Sequence, residues 1–360
     1  MLGRFVLSFA FLTVAACSQP GNLDLLDLGV LPDIPSPPDL TGRPGDLATV
    51  SDLARSFTCR GEDAPGTTYQ LVMNKLLLPG VSGSKTYVYD LDGDGRQENQ
   101  LKNIISTVAL AGLDIQTTID DAVQNGLIIN LLSVTSAAVD TSACVGVSLN
   151  QGKQGSRPKF DGTDRFTPVS ATGSPLSAVL AATQLKSVES RNLKPDTESQ
   201  FELQISLGRS VLKLPLRGVH VEAGLQMAGP FWQLTSGALH GAVAKKDIDD
   251  KLVPAIADQL TQLIHNDPFS ATSKTIIGLF ESTTDAVSVT KCMTATRCCR
   301  TSPATCVILP EEVVNSPVGG VLAPDVEVLD GTGQWKPVAG GKKYNAMSVG
   351  IGFTAISASY

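Results

Sequence analysis

The sequence predicts an α+β fold: an antiparallel β-sheet built as a meander, with a few helices packed on one face and disulfides stabilising the whole. Three observations carry this. In FELQISL, Phe201, Leu203, Ile205 and Leu207 alternate with polar residues; Leu212, Leu214 and Leu216 resume the pattern after Gly208, and Val219, Val221, Ala223 and Leu225 after Gly218. Period-two runs between glycines are half-buried antiparallel strands. DIDDKLVPAIADQLTQLIH (247–265) puts Ile248, Leu252, Ile256, Leu260, Leu263 and Ile264 on one helical face, kinked at Pro254, which should cover the open side of the sheet. Finally, Cys59, Cys144, Cys292, Cys298, Cys299 and Cys306 form an even set for disulfides, with Cys17 left over.

The remaining elements follow in chain order. TTYQLVMNKLLL (67–78) reads as an opening strand and KTYVYD (85–90) as a second. Leu101, Ile104, Ile105 and Val108 then fall at helical spacing, stopped by Gly112, and Ile115, Ile119, Ala122 and Val123 form a second helix ended by Asn125-Gly126. LIINLLSV (127–134) is a short apolar strand, with VGVSLN (145–150) pairing nearby. Residues 151–180, rich in Gly, Ser, Pro and Thr, read as a long loop and mark the place where a globular region of 58–360 would divide into two subdomains. A short helix near 273–282 precedes the cysteine cluster, and NAMSVGIGFTAISASY closes the chain as an alternating strand. That strand ends on an aromatic, Tyr360, as outer-membrane barrel strands do, but the helices and the scarcity of ten-residue alternating segments argue against such a barrel.

The first residues address location. MLGRFVLSFAFLTVAAC carries one charge, Arg4, then an apolar run from Phe5 to Val14 too short to span a bilayer, which reads as an export signal over 1–16. Val14-Ala15-Ala16-Cys17 resembles the lipobox of bacterial lipoproteins. The resemblance implies cleavage before Cys17 and acylation of that residue, and Ser18 after it implies the outer membrane. Multiple acyl chains anchor durably where a single chain does not. Residues 17–57 repeat Pro-Asp and Asp-Leu pairs with no sustained period and read as a disordered tether. About forty such residues reach about 35 Å as a flexible coil.

Export makes disulfides the expected state of the cysteines. KCMTATRCCRTSPATC has the wrong spacing for paired zinc hooks and no nearby histidine, so a locally tied loop is expected from Cys292 to Cys306, with Cys59 and Cys144 closing the N-terminal part. A net charge of −7 with no Lys/Arg cluster excludes a phosphate-tracking surface, so no nucleic-acid partner is expected.

One stretch carries inorganic chemistry. In YDLDGDGRQEN, Asp90, Asp92 and Asp94 occupy positions one, three and five of an EF-hand-like loop and Gly95 the sharp turn; Arg96 would offer its carbonyl and Glu98 its carboxylate. Calcium is the expected ion. Position twelve, where the EF-hand needs a bidentate acid, is Leu101, so either the affinity is weak or a remote acid completes the shell. The competing reading is a solvated Asp-Gly turn favouring the helix that follows. Asp325, Glu327 and Asp330 form a second acidic patch, read as the wet face of a strand.

His220, His240 and His265 stand in no catalytic pair, and no HExxH, GxSxG, P-loop or dinucleotide motif occurs, so no catalytic residue is assigned and a non-enzymatic role is expected. The lipobox, the Pro/Asp-rich tether, YVYDLDGDGRQENQLKNII and SVGIGFTA together resemble a group of lipoproteins of myxobacteria-like genomes. That resemblance implies a location and transfers no activity. The expected role is structural or binding, stabilised by calcium, with protein or apolar small-molecule partners; a carrier holding apolar ligands between sheet and helix is the alternative, and a hydrolase a more distant third.

Overall fold

The computed structural model describes residue 64 and residues 66–360, except 81–84, 111–113, 140, 171–175, 188–199, 208–209 and 295–296. The signal segment, Cys17, the tether and Cys59 lie outside the described residues. Those described belong to one compact unit, Phe57–Tyr360. The architecture is α+β, with a large antiparallel sheet and disulfide ties.

Ten strands form the sheet: β1 Thr67–Leu77, β2 Asn130–Ser136, β3 Thr141–Lys153, β4 Thr167–Ser170, β5 Leu176–Ala181, β6 Gln184–Ser187, β7 Gln200–Leu207, β8 Ser210–Ala228, β9 Phe231–Ala244 and β10 Ala346–Ser357. Their order is β2-β1-β10-β9-β8-β6-β5-β3-β4, with β7 paired on β8. Because β2 also pairs with β3, from Asn130↔Gln151 to Ser136↔Val145, eight of the strands form a ring and the sheet closes into a barrel. One apolar cluster draws residues from every strand of the ring, among them Leu71, Val134, Val147, Ala178, Leu185, Val221, Leu239 and Phe353. The same cluster takes in Leu101, Ile119, Leu260 and Ile276 from the helices, so strands and helices share one core.

The β7–β8–β9 meander matches the alternation in the sequence, with one difference. The runs flanking Gly218 are a single strand, β8, whose register with β9 shifts between Arg217 and His220. Gly218 has φ +57°, and a Cβ there would meet the Trp335 ring at 2.1 Å, so it marks a bulge covered by an indole rather than a turn. The stretch 151–180 contains the end of β3, all of β4 and most of β5.

A second difference concerns residues 85–90, which add no strand to the sheet. Tyr89 makes an isolated bridge to Glu98, and Tyr87 has φ +45°, incompatible with a continuing strand. Both edges of β10 are already taken, by β1 and β9. The segment therefore lies across β10 instead of joining it.

The helices are α1 Gln100–Leu110, α2 Ile115–Gln124, α3 Lys245–Asp247, α4 Val253–Asn266, α5 Ala271–Phe280, α6 Ala286–Met293 and α7 Pro310–Asn315. A π-turn, Ile248–Leu252, joins α3 to α4, so the predicted amphipathic helix is continuous, and Pro254, which has no N–H to give the preceding turn, stands just past that π-turn. Ile248, Leu252, Ile256, Leu260 and Ile264 are buried as its pattern requires. Asp114, Ser270 and Asp285 cap the starts of α2, α5 and α6 with side-chain oxygens.

The cysteine cluster is tied in two successive short loops, Cys292–Cys298 and Cys299–Cys306. Cys144 is also disulfide-bonded. Helices α6 and α7, which no hydrophobic period announces, frame these loops.

Candidate metal centre

The acidic loop begins and ends on one bridge. Tyr89 and Glu98 exchange backbone hydrogen bonds of 3.2 and 3.1 Å, which pinch the chain shut around the eight residues between them. Inside, the aspartates organise the backbone. Asp90 Oδ1 accepts from the N–H groups of Gly93 (2.7 Å) and Asp94 (3.1 Å), and Oδ2 from that of Gly95 (2.9 Å). Asp92 Oδ1 accepts from Asp94 N–H at 3.1 Å, and Asp94 Oδ1 from Arg96 N–H at 2.8 Å. Alternate aspartates with glycines at φ +79° and +87° (Gly93, Gly95) wind the chain so tightly that its carboxylates turn inward.

The loop is seated on the outer face of β10. Asn99 donates from Nδ2 to the carbonyls of Thr86, Tyr87 and Gly350 at 2.8, 2.9 and 2.9 Å and accepts from Gly350 N–H at 3.0 Å. A Cβ on Gly350 would lie 1.9 Å from Tyr87 O, and one on Gly352 2.2 Å from the Tyr87 ring. The glycines of SVGIGFTA are thus the bed on which the 85–99 segment rests, while Val349, Ile351 and Phe353 between them face the core. Ser348 joins the same stripe: its Oγ accepts from Gln100 N–H at 2.8 Å, at the start of α1, and donates to Asp325 Oδ2. Asp325 Oδ1 accepts from Ser348 N–H at 2.7 Å.

Carboxylates meet at this place. Ligand atoms of Asp90, Asp92 and Glu98 lie within 4.8 Å of one another. Asp92 is 7% exposed, and Glu98 Oε2 is buried without a hydrogen-bond partner. Glu98 is pushed up to about 7, first by burial and then by the charges of Asp92, Asp94, Asp90 and Asp325. Asp92 and Asp325 are both raised, burial again leading; Asp94 and Asp90 press on Asp92, and Asp92 on Asp325. Several anions held this closely repel one another, and a hard divalent cation is the species that reverses the sign of that interaction.

Among the sequence-predicted ligands, Asp90, Asp92 and Glu98 converge. Asp94 is not in that set; it contributes charge, and the exposed Arg96 guanidinium stands 3.9 Å from its Oδ2. Arg96 can serve only through its carbonyl. Leu101, at position twelve, is core, 4% exposed. The other acid whose charge reaches Glu98 is Asp325, more than two hundred residues away in sequence and held by Ser348 through both oxygens. No local signal identifies it, although it belongs to the second acidic patch. That patch is dispersed: Glu327 Oε2 accepts from Lys343 N–H at 2.8 Å, and Asp330 Oδ1 accepts from Thr332 and Gln334 N–H at 2.8 and 3.1 Å, capping its own turn. The donor set is all oxygen, which suits calcium by charge and hardness.

Two of the histidines flank this loop. Tyr89, one residue before Asp90, stacks on His220 with ring centroids at 4.5 Å and on His240 at 5.1 Å, and its hydroxyl lies 3.2 Å from His220 Nδ1. His220 and His240 are cross-strand partners on β8 and β9. Burial lowers His240 to about 4, so the ring packs as a neutral aromatic. His265, at the end of α4, contacts the Cys306 carbonyl at 2.6 Å.

Glu281, Cys292 and Cys298 also cluster, but both sulfurs are spent in a disulfide and offer no thiolate. Glu281 belongs to a buried network that no sequence pattern announces. Lys291 Nζ sits 3.0 Å from Glu281 Oε1 and 2.8 Å from Glu312 Oε2, with both glutamates fully buried. Comparisons with protein-family models, with curated proteins and with solved structures return no match.

Proposed function

We propose that this chain is an exported lipoprotein, anchored in the outer membrane through Cys17, whose folded part is a non-enzymatic structural or binding domain clasped by calcium. The observation that carries the calcium reading is the convergence of Asp90, Asp92 and Glu98 around a buried, unpartnered carboxylate oxygen. Asp90, Asp92, Glu98 and the Arg96 carbonyl would hold the ion, Asp94 would add its charge, and Asp325 would complete the shell directly or through water. The ion supplies charge neutralisation. The protein's own part is mechanical: Asn99, Ser348 and the glycine bed of β10 fix the loop, so an ion bound there would tie residues 90–98 to the segment at 325 and to the barrel wall.

Stabilisation is the expected consequence, because a ligand that binds only the folded state at about a hundred times its Kd adds about 2.7 kcal/mol. The test is thermal unfolding with calcium and with chelator. Calcium should raise the midpoint, and Asp92→Ala should abolish the rise; identical curves in the two conditions defeat the proposal. Mass spectrometry of the mature N-terminus addresses the anchor independently: an acylated Cys17 supports it, and an intact or differently cut N-terminus removes it.

A further inference from the structure

Outside the metal centre, the strongest concentration of reactive groups is the buried Glu281–Lys291–Glu312 triad. Exposure of the Lys291 side chain is 6%, and that of both glutamate side chains is 0%. Lys291 projects from α6 between a carboxylate at the end of α5 and one on α7. Its Nζ also donates to the Val307 carbonyl at 2.8 Å and lies 3.6 Å from Cys299 Sγ. The two acids are held differently. Glu281 accepts backbone N–H groups on both oxygens, from Cys299 at 2.9 Å and Arg300 at 2.7 Å, which fix its position. Glu312 accepts the Ser288 hydroxyl at 2.7 Å on one oxygen and Leu309 N–H at 2.8 Å on the other. Those donors polarise its carbonyl.

We propose that Lys291 and Glu312 condense into an intramolecular amide, with Glu281 moving the protons. A nitrogen 2.8 Å from a carboxyl oxygen lies about 3–3.5 Å from the carboxyl carbon, the separation from which bonds form. The step starts from the Lys291 ammonium held between the Glu281 and Glu312 carboxylates. Glu281 takes a proton from Nζ, and the freed amine attacks Glu312 Cδ. The N–C bond forms, a C–O bond of Glu312 breaks, and that oxygen leaves as water with two protons relayed from Nζ by Glu281. Of the three ammonium protons, two depart in water and one stays on the amide nitrogen, and Glu281 ends as the carboxylate it began as. No oxidant or outside reagent is required. The driving force is physical: two buried ions, each costly to desolvate, become one neutral amide. The product would staple α6 to α7 across the two disulfide loops, a cross-link that reductants cannot open.

Peptide mass spectrometry of the mature full-length protein, reduced, alkylated and digested with trypsin, tests this. The segments carrying Lys291 and Glu312 should appear as one branched species, lighter than their sum by one water, with no cleavage after Lys291. Glu312→Gln should give the same branch with loss of ammonia instead, and Glu281→Gln should leave Lys291 free. Linear peptides cleaved after Lys291 in full yield from the wild-type protein would overturn the proposal and leave an ion pair only. The wild-type mass decides even where a variant does not fold.

Discussion

Replacing Glu98 by glutamine should stabilise the protein without calcium and destabilise it with calcium. In the metal-free fold the Glu98 carboxyl is raised from 4.5 to about 7 by burial and by its anionic neighbours. A folded-state pKa above the unfolded one means that the folded protein holds the extra proton between about 4.5 and 7, so stability falls as pH rises through that window and stays low above it. At about 1.36 kcal/mol per pH unit the ionised group costs at most about 3 kcal/mol, and its partial exposure brings this to about 1–2 kcal/mol. Glutamine keeps the shape and removes the charge. In chelator near pH 8, Glu98→Gln should therefore unfold about 2–8 °C above the wild type, at about 2–4 °C per kcal/mol for a domain of this size. In millimolar calcium the order should reverse, because the variant has lost an anionic ligand. Differential scanning calorimetry of both proteins in both conditions gives the four midpoints. A shift of the same sign with and without calcium would refute the reasoning, since only a cation turns a mutual repulsion into an attraction.

Other consequences follow from the same geometry. Gly350→Ala drives a methyl to 1.9 Å from Tyr87 O and should lift the loop from β10, costing about 3 kcal/mol in urea unfolding and weakening calcium binding together. Asn99→Ala removes three donated bonds and one accepted bond at a site 8% exposed, and should cost about 2–4 kcal/mol by the same assay. His240, lowered to about 4 by burial, binds its proton more readily when unfolded; stability should fall by about 2–3 kcal/mol as pH drops from about 6.5 to 4, and His240→Phe should flatten that limb of the denaturation profile. Lys291→Met removes the buried nitrogen, ammonium or amide, that joins Glu281 and Glu312 and should destabilise by about 3–5 kcal/mol, measured by guanidinium unfolding.

Much of this protein is written locally. The period-two runs of β7, β8 and β10, the helical face of α4, the caps of α2 and the winding of the acidic loop depend on residues within a few positions of one another, and hydrophobic spacing and Asx chemistry report them directly. The cysteine spacing announces a locally tied loop from Cys292 to Cys306, but which partners join, six and seven residues apart, is not fixed by it. Three things belong to the tertiary structure alone. The sheet closes because β2 pairs with both β1 and β3 while β10 enters between β1 and β9; alternation states that a strand has two faces and is silent on which neighbour takes its edge. Residues 85–90 alternate as a strand would, yet β10 has no free edge for them, and they fold across its glycines. Asp325 stands beside Asp92 and Glu98 only because Ser348, on the last strand, holds both it and the first turn of α1. Coulomb repulsion acts through space, and the spacing of acids along a chain does not record who their neighbours are.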